Sequence, residues 1–131
     1  MTQSTAILRF IARKHDLLGQ SEAERVRVDI LAEQAMDFRN GLVRLCYNPN
    51  FEGLKAEYLT ALEAKMADFT AFLGDRKFFA GDNVTFVDFV MYELLDQHRE
   101  LSSDSVKGKL EDFLARVEKL PQIEAYMKSN R

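Results

Sequence analysis

The fold is decided by the longest patterned stretch of the chain, residues 22–47, which reads EAERVRVDILAEQAMDFRNGLVRLCY. Its apolar side chains recur at alternating intervals of three and four, at Val28, Leu31, Ala35, Phe38, Leu42 and Leu45. That spacing places all six on one side of an α-helix and is typical of helices that pack in bundles. Asn48-Pro49 then ends the helix, because the residue before a proline is disfavoured in the helical region. We therefore predict a long amphipathic helix with one buried face.

Apolar side chains recur at similar spacing on both sides of this helix, and no segment alternates at two over the length of a strand. Further helices are predicted over about residues 4–15 and 54–73, from Thr85 onward, across 106–120 and after Pro121. Only two prolines and six glycines interrupt the 131 residues, so few positions can break a helix. The sequence therefore predicts an all-α domain over residues 1–131, a bundle of five to six helices.

The helix that begins after Thr85 carries the clearest start signal. Thr85 and Asp88 have the spacing of a capping box, and Val84 and Phe89 flank them at the positions of a hydrophobic staple. The residues that follow are apolar nearly all round, which predicts a central, buried helix. A capping box of related form, SEAE at residues 21–24, is predicted to open the long helix.

Composition excludes several classes of protein. The chain is 47% hydrophobic, and its 18 Lys+Arg against 21 Asp+Glu give a formal net charge of -3, which argues against disorder and against a general nucleic-acid binder. No apolar run approaches the length of about 20 residues that a membrane span needs, and the start lacks a signal-peptide pattern. We therefore expect a cytoplasmic protein that binds neither nucleic acid nor membrane.

The residues that usually carry metal or nucleophilic chemistry are sparse. Neither His15 nor His98 has a glutamate three residues before it, as a di-metal helical bundle requires. The single cysteine, Cys46, adjoins the apolar seam and is predicted to be a buried thiol rather than a nucleophile. There is no glycine-rich phosphate loop. No metal site, cofactor or catalytic residue is expected.

Two polar residues and one helix face are candidates for a binding site. Ser4 is predicted to be the N-cap of the first helix, where free amides and the helix dipole attract an anion; simple capping is the alternative. Asp37 lies in the middle of the long helix, where a solvated side chain is the alternative. A second face of that helix, which lines a pocket or packs on another helix, is formed by Met36, Asn40, Val43 and Tyr47.

Five segments in order resemble the mu-class glutathione transferases. They are residues 2–15 (TQSTAILRFIARKH), 36–39 (MDFR), 44–49 (RLCYNP), 81–89 (GDNVTFVDF) and 123–129 (IEAYMKS). In that family a thioredoxin-like domain precedes an all-helical domain. The resemblance spans essentially the whole chain and implies that it corresponds to the helical domain, with residues 1–18 matching the last helix of the thioredoxin-like domain and the linker.

The resemblance also implies roles for the candidate residues. Gln3 and Ser4 would contact the γ-glutamyl end of glutathione, and Asp37 would approach the γ-glutamyl amine of glutathione bound to the neighbouring subunit of a homodimer. The pocket for the electrophilic co-substrate would be lined by Met36, Asn40, Val43 and Tyr47. The capping box and staple would be the family's folding motif.

The parent reaction implied by the resemblance is addition of the glutathione thiolate to electrophiles. The tyrosine that stabilises the thiolate belongs to the thioredoxin-like domain and the tail that closes the co-substrate site follows the helical domain, so this chain alone is expected to be non-catalytic and to bind glutathione weakly or not at all. Glu63 and the segment 107–110 (KGKL) replace prolines that the family commonly has. Two alternatives are a stand-alone, non-catalytic helical interaction module and a helical domain excised or engineered to test folding.

Overall fold

The computed structural model of the protein describes residues 2–129, so the ends of the predicted domain at residues 1, 130 and 131 lie outside the described range. Within it the chain forms six helices and no strand, which confirms the predicted all-α fold. The helices are α1 Ser4–Lys14, α2 Glu22–Cys46, α3 Phe51–Leu73, α4 Phe86–Leu101, α5 Lys109–Glu118 and α6 Pro121–Met127.

Helix α4 is the centre of the bundle and packs against α1, α2 and α5. All six apolar residues of the predicted α2 seam are buried, and α4 buries Val87, Met91, Leu94 and Leu95 among others. Burial of a Val, Leu, Phe or Met side chain contributes about 1.5–3 kcal/mol. The predicted stripe and the predicted buried helix therefore meet and form the core.

The start of α4 has the predicted capping box. The Thr85 amide and hydroxyl donate to Asp88 Oδ2 at 2.7 and 2.8 Å, and the Phe79 amide donates to Asp88 Oδ1 at 2.9 Å. Val84 and Phe89, the predicted staple, are partly buried against the core. Burial raises the pKa of the Asp88 carboxyl, and the hydrogen bonds from Phe79 and Thr85 oppose that rise.

The start of α2 has only half of the predicted capping box. Ser21 Oγ accepts from the Glu24 amide at 3.2 Å, but the Glu24 carboxylate accepts from the Gln20 amide, one residue earlier than predicted. The turn before it needs Gly19, which has a φ of 96°, and a Cβ there would lie 2.8 Å from that of Glu24. The tight approach of Glu24 to this turn explains the changed partner.

The segment between α3 and α4 has no regular structure but is anchored from three helices. Arg27 of α2 stacks on the Phe72 ring, 3.9 Å from its centroid, and donates to the Phe79 carbonyl at 3.0 and 2.9 Å. Arg116 of α5 donates to the Lys77 carbonyl at 2.6 Å. Together with Asp88 of α4, these contacts hold the segment against the bundle.

The expectation that Cys46 is a buried thiol is wrong. The side chain is exposed, because Cys46 is the last residue of α2 and follows the buried seam residue Leu45.

Across residues 2–129, no helix is long and apolar enough to cross a membrane.

Candidate functional site

A cavity of about 460 Å³ lies between α1, α2 and α4. Its walls are mostly apolar and its charged side chains are few. The lining residues from α1 are Ser4, Thr5, Leu8, Ile11 and Ala12; those from α2 are Ala32, Met36 and Arg39; those from α4 are Phe86, Phe89, Val90, Glu93, Leu94 and Gln97; and Leu17 lies between α1 and α2. Its volume is in the range of small-molecule sites.

Ser4 lines this cavity but does not cap α1, so the predicted cap is wrong. The N-cap is Gln3, which has a φ of 70° and makes no side-chain cap hydrogen bond. Ser4 is instead the first helical residue, because the chain enters the helix through the left-handed conformation of Gln3. The first turn of α1 contains no acidic residue, so its free amides and the positive end of the helix dipole remain available to an anion.

The predicted second face of α2 reaches the cavity at one end only. Met36 is in the wall, whereas Asn40, Val43 and Tyr47 are not among the lining residues, and Tyr47 is 86% exposed. These three follow Met36 toward the end of α2, beyond Arg39, which is the last α2 residue in the lining. Within residues 2–129, therefore, the face continues as open surface.

Asp37 lies in a different depression, a groove of about 220 Å³ between α2 and α3. The other lining residues of this groove, here called the α2–α3 groove, are Phe38, Gly41, Tyr58, Ala61, Leu62 and Lys65. Asp37 and Ser4 therefore do not share one site within a single chain.

The sequence predictions missed the part of the site that α4 supplies, and they missed Arg39. Phe86, Val90, Glu93 and Gln97 recur at intervals of four, three and four, so the periodicity of α4 contained the signal for a face of this kind. Because α4 is apolar nearly all round, that face could not be told from its buried sides. Arg39 and Glu93 contribute opposite charges to the lining.

The outer surface of α1 carries an apolar strip next to the cavity. Ile7, Leu8, Phe10 and Ile11 are each 37–46% exposed. Arg9 pairs with Asp29 and Glu33 of α2 at 3.5 and 3.0 Å and holds α1 against that helix.

In residues 2–129 there is no group of three or more His, Cys, Asp or Glu side chains that could hold a metal ion.

A central buried helix with an apolar cavity beside the first helix defines an all-α domain with a site of small-molecule size. The chain belongs to the family described as the C-terminal domain of glutathione S-transferase, which matches residues 36–130.

Its relatives and structural neighbours are of the same kind. The chain is 53% identical to a glutathione S-transferase of Mesocricetus auratus and to glutathione S-transferase Mu 4 of Homo sapiens, and both matches cover 100% of the chain. A Pi-class glutathione S-transferase of Onchocerca volvulus superposes with a TM-score of 0.88 at 29% identity over 98% of the chain and 64% of that structure. The chain spans 61% of the length of the two relatives.

Proposed function

We propose that the chain is the helical part of a glutathione transferase, whose parent reaction adds the glutathione thiolate to electrophiles. The observation that carries this proposal is the apolar cavity, with exposed Ser4 at the start of α1 and Met36 in its wall. An apolar wall with a few polar groups suits an aromatic electrophile. The 53% identity to a mu-class relative supports the same reaction.

Glutathione is proposed to bind through its γ-glutamyl end at the start of α1. Gln3 and Ser4 meet its carboxylate there, supported by the free amides of a first turn without acidic residues. Asp37 is proposed to meet the γ-glutamyl amine of glutathione held by a second copy of the chain in a homodimer. Asp37 lies in the α2–α3 groove, away from Ser4, which supports a contact with glutathione held by the second copy rather than by the same chain.

The electrophile is proposed to lie along Met36, Asn40, Val43 and Tyr47. Met36 alone reaches the cavity, and the exposed Tyr47 leaves room for a second wall on this surface. A thioredoxin-like partner domain would supply that wall and the group that stabilises the thiolate. The apolar strip of α1 supports such a docking role, since exposed apolar patches mark interaction surfaces.

The chain alone is accordingly proposed to be non-catalytic, and its expected compartment is the cytoplasm, where thiols stay reduced. The test is conjugation of glutathione to an aromatic halide, measured with this chain alone and with the thioredoxin-like domain of a mu-class relative added. We expect the uncatalysed rate for the chain alone and a faster rate for the mixture. Conjugation by the chain alone would overturn the assignment of thiolate stabilisation to a partner domain.

Glutathione binding by the mixture of the two domains is measured separately from its catalysis. Ser4→Glu places a carboxylate at the start of α1 and should raise the glutathione concentration needed for half-saturation at least tenfold. Ser103→Glu changes an exposed serine between α4 and α5 and is the matched control. Equal glutathione affinity in the two variants would contradict the proposed γ-glutamyl site.

A further inference from the structure

A fully buried histidine lies at the junction of three helices, outside the lining of the cavity beside α1 and behind two side chains of the α2–α3 groove. His98 of α4 is 0% exposed. Its Nδ1 is 2.6 Å from the Leu94 carbonyl oxygen, and its Nε2 is 2.7 Å from the Tyr58 hydroxyl. A carbonyl only accepts, so Nδ1 carries the proton of the neutral ring and Nε2 accepts from Tyr58. The ring therefore has both nitrogens paired while it is uncharged.

The same residue connects further elements of the bundle. Its ring stacks on Phe38 of α2, with centroids 4.1 Å apart and planes 10° from parallel. Its backbone carbonyl accepts from Ser105 Oγ at 2.9 Å, which ties the connection between α4 and α5 to the end of α4. Tyr58 of α3 is thus joined through His98 to α2, to α4 and to the connection that follows α4.

Among residues 2–129, the hydrogen-bond partners of the His98 ring are the Tyr58 hydroxyl and the Leu94 carbonyl, and neither is a carboxylate. The aromatic rings stacked on His98 are Phe38 from α2 and Tyr58 from α3. Around them lie further titratable or charged groups: Cys46, beside Tyr58, Asp37 and Lys65, in the α2–α3 groove, and Asp96 and Arg99, which pair with each other on α4. Burial lowers the pKa of His98, with the Leu94 carbonyl opposing it.

Tyr58 is the side chain between the ring and the α2–α3 groove. It is partly buried, it lines that groove, and its hydroxyl covers the Nε2 edge of His98. A second proton on Nε2 would turn Tyr58 from donor to acceptor and leave a charge in an apolar core. We expect water to reach that charge from the groove once Tyr58 moves aside, because Tyr58 both lines the groove and contacts Nε2.

We propose that the His98–Tyr58 hydrogen bond is an acid-sensitive clasp between α3 and α4, whose release on protonation of His98 loosens α3 around Tyr58 and widens the groove that holds Asp37. The evidence for the clasp does not depend on the proposed transferase reaction, although the groove it would widen contains Asp37, a residue of the proposed glutathione contact. Because the folded protein favours the neutral ring, the stabilisation is complete above the unfolded pKa of about 6.5 and is lost as the pH falls below it.

The first test is urea unfolding at pH 7 and pH 5 with variants of the two histidines. The unmodified protein should have a lower urea midpoint at pH 5 than at pH 7. His15→Gln, which changes an exposed histidine, should show the same drop in midpoint between the two pH values. His98→Gln removes the titrating ring and should make the drop smaller. A drop of equal size in His98→Gln would overturn the proposal.

The second test needs no variant of His98 and locates the opening. NMR titration of the unmodified protein should show the His98 ring protonating at lower pH than in the urea-unfolded chain. Hydrogen exchange, corrected for intrinsic rates, should quicken at pH 5 for amides around Tyr58 more than for those of α5. A His98 ring that protonates at or above its unfolded pH, or equal changes in α3 and α5, would contradict the clasp.

The third test separates the clasp from general packing. Tyr58→Phe keeps the ring and removes only the hydroxyl. Amide exchange around residue 58 should therefore be faster at pH 7 than in the unmodified protein, and its rate should increase less on acidification. An acid response in this variant as large as in the unmodified protein would show that the hydroxyl has no part in the release.

Discussion

Asp88 is completely buried, yet it accepts hydrogen bonds from two residues in the segment before its helix. A buried carboxylate is costly unless donors surround it, and here the donors are the amides of Phe79 and Thr85 and the Thr85 hydroxyl. The residue therefore caps α4 and fixes the preceding segment at the same time. Both functions depend on one side chain.

Asp88→Ala should destabilise the protein more than Thr85→Ala. Loss of Asp88 leaves two backbone amides without their acceptor, at about 1–3 kcal/mol each, whereas loss of the Thr85 side chain costs about 1 kcal/mol. Urea unfolding measures both, and Asp82→Ala, at an exposed aspartate nearby, should change the free energy of unfolding by less than about 0.5 kcal/mol. Equal losses for Thr85 and Asp88 would refute the double role.

Sequence alone predicted the Thr85–Asp88 pair because both partners lie within one helical turn. It placed the cap of α1 at Ser4 incorrectly, because the left-handed conformation of Gln3 has no local signal in a non-glycine residue. The role of Phe79 was also missed, since Phe79 and Asp88 lie nine positions apart and the chain between them is irregular up to the start of α4.

Among the helices, α2 was the most predictable, since its buried seam repeats over six positions and its ends carry a serine cap and Asn48-Pro49. Its predicted range, 22–47, differs from the observed Glu22–Cys46 by one residue. Helix α3 begins at Phe51, earlier than the predicted residue 54, and its N-cap Asn50 makes no side-chain cap bond. Helix boundaries without a local capping bond are weakly marked in sequence.

Ser21→Ala tests the cap of α2. It removes the hydroxyl that accepts from the Glu24 amide, so the free energy of unfolding should fall by about 1 kcal/mol. Thermal and urea unfolding give the value, with Ser103→Ala, at an exposed serine, as the matched control. The cap at Ser21 would be unsupported if both substitutions had the same small effect.

At the scale of the whole molecule, the cavity depends on how α1, α2 and α4 pack. The sequence predicted a second face on α2, and Met36 of that face does line the cavity. It could not indicate that Asn40, Val43 and Tyr47 lie outside the cavity lining, because that depends on the relative placement of helices far apart in the chain. Long-range geometry of this kind is absent from local periodicity.

The cavity and the neighbouring strip of α1 should bind an apolar fluorescent dye. Ile11→Ser removes an apolar side chain that belongs to both, so dye fluorescence should fall severalfold with little change in unfolding temperature, since Ile11 is 46% exposed. Val26→Ser, at an exposed apolar residue of α2 outside the cavity, should keep the fluorescence. An equal loss of dye fluorescence in both variants would show that the dye binds elsewhere.

The anchored segment between α3 and α4 also determines how a protease meets this molecule. Arg76 and Lys77 are exposed and supply trypsin sites in chain without regular structure, but a protease must draw several residues into its cleft in extended form. Arg116 holds the Lys77 carbonyl and Arg27 holds the Phe79 carbonyl, so that deformation requires breaking contacts with two helices. We therefore expect the longest segment between helices in residues 2–129 to resist trypsin, so that cleavage there reports detachment of the segment rather than its exposure.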